Sequence, residues 1–224
     1  MKRNLHISND DEYAPEKRKR CTAFHEAGHA AAIYLSNRKR DIPTHRFSLR
    51  FNQFDEGSSA DFHAAYENYI ACVEGGRMLH ALPPSLSDLQ HLSKEAGHDW
   101  IQSQDDLLNA FEADVINLLA GPLSEAKYVA ETDDEIFTHQ LIDPPALENY
   151  GGAFDLALID DYLHSFSADQ QARDQKLNQL HKVAFDFIND YHNWRTISKL
   201  AGYILAANKR TICYEEVAAI LGDS

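Results

Sequence analysis

The segment His25-Glu26-Ala27-Gly28-His29-Ala30-Ala31-Ala32 places two imidazoles four residues apart inside a run of small side chains. On a helix, residues four apart share one face, one turn from each other. The surrounding pattern reads as helix from Pro15, which suits a first turn, to about Asn37. Ala27, Gly28, Ala30, Ala31 and Ala32 leave little bulk on that helix, so a second backbone can come close. Gly within a helix costs about 1 kcal/mol against Ala, which gives Gly28 a packing or functional reason. The segment therefore predicts a helix packed tightly on another element, with two histidines aimed the same way.

The rest of the chain reads as mainly α, with a small β element near residues 45–52. Phe47, Leu49 and Phe51 alternate with polar residues, the period of a half-buried strand. Helices are expected over 60–80, ended by Pro83-Pro84, and over 86–96. Another is expected over 103–130, where Leu107, Phe111, Val115 and Leu118 form a stripe and Pro122 predicts a kink or fresh start. Residues 131–150 read as a loop. Gly151-Gly152 opens a helix to about Phe166, Ser167 is the expected N-cap of the next, and two more helices close the chain. Residues 1–13 read as a flexible arm and 14–224 as one domain.

A formal net charge of -14 argues against a nucleic-acid partner, since phosphate binding needs a basic surface. It also disfavours anionic membranes. The run Lys17-Arg18-Lys19-Arg20 reads as a solvated helix face. No apolar run reaches the length of a membrane span, and Met1–Asp10 lacks the apolar core of a secretion signal. Cys21, Cys72 and Cys213 are odd in number and form no C-x-x-C pair. A soluble chain in a reducing cytoplasm is the expectation.

Two histidine nitrogens at the spacing of His25 and His29 can share one tetrahedral Zn²⁺. Glu26 is then placed to reach water on the metal as a general base. Cys21 lies eight residues before His29, about 12 Å along a helix, too far to share that ion. It is expected to be a small buried residue. Lys94-Glu95-Ala96-Gly97-His98 echoes the motif without its first histidine and reads as chance.

A catalytic zinc takes three protein ligands. The extended motif with a third histidine does not occur, because Ala32 and Leu35 occupy its positions. Two carboxylates remain, Asp155 and Glu125. Leu158, Ile159 and Tyr162 put Asp155 on an apolar helix face, where an ionised carboxylate needs a partner or metal. It could instead complement the helix dipole. Glu125 also has apolar neighbours, Leu119 and Leu123.

Thr22-Ala-Phe-His-Glu-Ala-Gly-His-Ala-Ala resembles the zinc helix of the FtsH family, the peptidase part of membrane AAA proteases. Leu119-Ala-Gly-Pro-Leu-Ser-Glu-Ala-Lys-Tyr128 is similar to that family's Gly-Gly-Arg-x-Ala-Glu-Glu segment, with Pro122 in place of Arg. Gly152-Ala-Phe-Asp-Leu156 resembles its Gly-Ala-x-Asn-Asp-Ile segment, and Asn193 to Leu221 its C-terminal helices. The resemblance implies a helical zincin-like metallopeptidase. His25, His29 and Asp155 would hold Zn²⁺, Glu26 would be the base, and Glu125 would stand behind the ligands.

Only 24 residues precede His25 and no Gly-Lys dipeptide occurs, so neither the family's ATPase nor its membrane segments are expected in this chain. The resemblance then implies an ATP-independent endopeptidase acting on flexible peptides or unfolded protein. The strand near 45–51 would pair with the extended substrate. The alternatives are a catalytically silent zinc-binding adaptor and a module working with a separate ATPase.

Overall fold

The computed structural model describes residues 14–43, 45–51, 71–79, 82, 86, 101–207 and 209–222. The expected arm, the helical pattern over 60–70, Pro83-Pro84, most of the 86–96 segment and the 94–98 echo lie outside these residues. The described residues form a mainly helical fold with a small antiparallel sheet.

Helix α1 (Ala14–Ala31) carries His25 and His29 and continues through a π-helical turn (Ala32–Ser36) into the short α2 (Asn37–Lys39). The Asn37 N–H reaches five residues back to Ala32 O, which widens the turn. The chain leaves this helix at Asp41, whose φ is 55°.

Helix α3 (Gln104–Thr132) begins with a reciprocal capping box between Ser103 and Asp106. Every residue from Ala113 to Ser124 is buried, so the middle of α3 is enclosed on all sides. Pro122 neither ends nor restarts it. Dense packing around α3 holds the helix together although Pro122 contributes no N–H.

α1 packs chiefly against α3. A Cβ at Gly28 would lie 2.4 Å from Ala120 O and 2.3 Å from Ser124 Oγ, so only glycine admits this crossing. Phe24, beside His25, stacks on Tyr128 of α3 at 4.3 Å between centroids. These contacts fix how α1 is turned about its axis.

Strand β1 (Phe47–Phe51) lies between β2 (Ala71–Gly75) and β3 (Thr211–Cys213). Leu49 sits opposite Val73 on one side and Ile212 on the other. Both edges of β1 are therefore occupied, and the expectation that it pairs with a substrate is corrected. Residues 71–75 are strand rather than the end of a helix, because pairing with β1 outweighs their local pattern. β3 falls where the sequence suggested only helices.

The expected loop over 131–150 contains a 3₁₀ helix (Pro144–Tyr150) capped by the Asp143 side chain. Helix α4 (Ala153–Phe166) follows at Gly152, as expected. Helix α5 (Gln170–Asn189) is capped by Asp169, which accepts from Ala172 N–H. Ser167 instead ends α4, and its Oγ accepts from Asp169 N–H. Helices α6 (Tyr191–Ala207) and α7 (Tyr214–Gly222) complete the fold, with Ile197, Leu200, Ile204, Val217 and Leu221 buried.

Among the described residues no helix is long and apolar enough to cross a membrane. Cys21, Cys72 and Cys213 are free thiols. Cys21 is half-buried rather than buried, and desolvation, reinforced by Glu125, pushes its thiol up to about 11.

Candidate metal centre

α1, α3 and α4 bring His25, His29 and Asp155 together in a buried group that could hold a metal ion. Each offers one ligand atom, and these atoms lie within 4.8 Å of one another. His25 Nε2 is 3.3 Å from Asp155 Oδ2, and His29 Nε2 is 3.5 Å from Asp155 Oδ1. Direct charge-assisted hydrogen bonds run at about 2.7–2.9 Å. Ligands about 2.0–2.1 Å from a tetrahedral zinc sit about 3.3 Å apart. The two histidine–carboxylate spacings lie close to that value, each to a different Asp155 oxygen, and the whole group spans no more than 4.8 Å.

Each imidazole is oriented from behind. His29 Nδ1 donates to the backbone carbonyl of Asn117 at 2.7 Å, which leaves Nε2 as the lone-pair nitrogen facing Asp155. His25 Nδ1 lies 3.0 Å from Glu125 Oε2, which directs its Nε2 to the same point. Such outer partners fix the tautomer of a metal-ligating histidine. Glu125 therefore orients His25, and Asp155 is the converging carboxylate.

Sequence reasoning missed Asn117, because the acceptor is its backbone oxygen. Gly121-Pro122 lies one turn on but does not single that oxygen out. The Asn117 carbonyl belongs to the helical turn that Gly121 would close, and Pro122 strips the next carbonyl, Leu118 O, of its helical donor. Gly121 also has to be glycine for space: a Cβ there would lie 2.2 Å from His29 Nε2. At the other imidazole, Gly151 takes a left-handed φ of 72° and passes Glu125 and His25 where a Cβ would crowd both.

The electrostatics follow from burial among acids. Desolvation lowers the pKa of His29, and the Asp155 charge only partly opposes it. Desolvation also acts on His25, but hydrogen bonds to Asp155 and Glu125 outweigh it and raise its pKa well above the ordinary value. Asp155 stays below the usual carboxylate range because the two histidines overcome its desolvation. Burial pushes Glu26 up to about 7. Glu26 is 5% exposed, and its Oε2 has no hydrogen-bond partner. Buried polar atoms are rarely left so.

A cavity of about 580 Å³ opens over these groups. Its walls include His25, Glu26 and His29 of α1, Asp155 and Leu158 of α4, and all of β2 from Ala71 to Gly75. Beyond β2, Asp114 clamps the chain. Its carboxylate accepts from Met78 N–H at 2.7 Å, Leu79 N–H at 2.8 Å and the Tyr162 hydroxyl at 2.8 Å. That network joins α3, α4 and the segment after β2 at the cavity wall, which Asp114 helps to line.

Comparison with known protein families, curated proteins and solved structures gives no match.

Proposed function

We propose that the chain is a zinc-dependent, zincin-like peptidase that hydrolyses peptide bonds in flexible or unfolded polypeptides. The reading rests on Glu26: a buried carboxylate oxygen without a partner, beside three converging ligands, under an open cavity. His25, His29 and Asp155 would hold the ion, and two imidazoles with one carboxylate suit zinc. A zinc ion there supplies Lewis acidity, lowering the pKa of water and polarising a carbonyl.

Glu26 does the proton work. Buried beside the ligands with one oxygen unpartnered, its carboxylate is placed to take a proton from an attacking water and pass it to the leaving amine. Asn117 and Glu125 keep the imidazoles in the required tautomers. β2 lines the cavity along its length, and among the described residues its outer edge is unpaired. An extended substrate can add there as a further strand.

The resemblance to the FtsH-type zinc helix supports the same reading. Three free thiols accord with a reducing cytoplasm.

The test is Glu26→Gln on the zinc-loaded protein, assayed with an unstructured peptide library. Zinc content should persist while hydrolysis falls by about 10²–10⁴-fold, the usual scale of a general base. Full hydrolysis in that variant would reject the assigned base. A zinc-loaded wild-type protein with no turnover would favour the silent adaptor.

A further inference from the structure

We propose that Arg77 is a specificity residue that binds a substrate carboxylate, selecting peptides that carry one within about two residues of the scissile bond. The inference rests on the peptidase reading. Arg77 lies two residues past the end of β2 and lines the cavity. The other ionisable groups lining it are the acids Glu26, Glu74, Asp114, Glu125 and Asp155, two histidines and Cys72. Among the described residues of the wall, Arg77 is thus the one permanent cation.

Its position follows from its neighbours. A Cβ on Gly76 would meet the Ile33 side chain, and Ile33 lies one helical turn after His29. Met78 and Leu79 are tied to Asp114. Arg77 therefore stands beyond His29, at the opposite end from Glu125 and Gly151. The four residues from His29 to Ile33 rise about 6 Å, and an extended peptide advances about 3.3 Å per residue, which gives the two-residue reach.

Arg77 also contributes its charge to lowering the pKa of Asp114, but as a smaller influence than the hydrogen bonds that carboxylate accepts. The Asp114 carboxylate already accepts three hydrogen bonds. The Tyr162 hydroxyl holds the Arg77 side chain. A guanidinium has five N–H donors in a planar fork, so one anchored donor leaves the face that binds carboxylates bidentately. In a chain of net charge -14, a fixed cation is needed to bring an anionic group into an acidic cleft.

The experiment uses the zinc-loaded protein and three versions of one cleavable peptide. They end in a free carboxylate, in an amide, or in an amide with a Glu side chain two residues from the cleaved bond. A carboxylate-bearing peptide should be cleaved at least about tenfold faster than the plain amide, the effect of about 1.4 kcal/mol. The Arg77→Gln variant should bring that ratio to about one at unchanged zinc content, and Arg77→Lys should restore part of it. Which version is favoured separates a chain terminus from an acidic side chain. Equal rates on all three, or a preference that survives Arg77→Gln, would overturn the proposal. If none is cleaved, the peptidase reading fails. The carboxylate site is then read by fluorescence anisotropy of the same peptides on the Glu26→Gln protein, where equal affinities would overturn it.

Discussion

Gly121 lies against the imidazole of His29, so close that a methyl group would fall 2.2 Å from Nε2 and 2.4 Å from Cε1. The ligand nitrogen thus depends on an absent side chain on a neighbouring helix. Gly121→Ala should push the ring off the common point while α3 keeps its helix, since alanine favours helix over glycine. We expect unchanged helical circular dichroism and zinc affinity lowered at least about tenfold, as seen when ligand support is lost. Chelator competition measures it, and wild-type affinity would show that the ring is not held there.

Glu125 acts through His25. Glu125→Gln keeps the shape but replaces a carboxylate acceptor by an amide, weakening the bond at 3.0 Å that sets the tautomer. Zinc affinity is expected to fall by about 10–100-fold. Asp155→Asn should weaken it further, because it neutralises a ligand. The order of the two effects, measured by zinc titration, discriminates the oriented ligand set from the reverse assignment.

Asp114 supports the cavity wall. Asp114→Asn puts an amide donor where one of two backbone N–H groups needs an acceptor. A buried donor left unsatisfied costs about 1–3 kcal/mol. Urea unfolding should show a loss of that size, and no loss would remove Asp114 from its structural role.

His181 of α5 is buried, and its Nδ1 lies 3.1 Å from His139 Nε2. Desolvation, then the neighbouring His139, lowers its pKa to about 4. In the unfolded chain it titrates near 6.5. Between these values the unfolded state binds a proton that the folded state refuses. The stabilising contribution is therefore full above about 6.5 and is lost as pH falls toward 4. The span amounts to at most about 3 kcal/mol at 1.36 kcal/mol per pKa unit. Urea melts at pH 7.5 and 5.0 should show a smaller pH-dependent loss for His181→Gln than for wild type. Equal slopes would contradict the assignment.

Periodicity exposed much of this structure. The helix around His25 and His29, the central strand at 47–51 and the inward turn of Asp155 were legible, because each rests on local period. That α1 lies close against another element was legible from its run of small residues around Gly28, but not that the element is α3. What stayed hidden depends on partners distant in sequence. Ala71-Cys72-Val73-Glu74-Gly75 becomes a strand by pairing with β1, and Thr211–Cys213 likewise. Pro122 suggested a break that burial on every side prevents. Asp114 could have been found by the reasoning applied to Asp155. It shares a face with Ala110, Phe111 and Leu118, where a carboxylate must have partners. The Asn117 carbonyl carries no side-chain signal at all.

Metal stoichiometry tests the site most directly. Wild-type protein purified without chelators should carry about one zinc ion per chain by mass spectrometry of the element, as three ligands at one point imply. His29→Ala and Asp155→Ala, folded by circular dichroism, should carry much less. A wild-type protein that binds no divalent metal, or an Asp155→Ala variant that binds zinc as tightly as wild type, would contradict a centre built by α1 and α4 together.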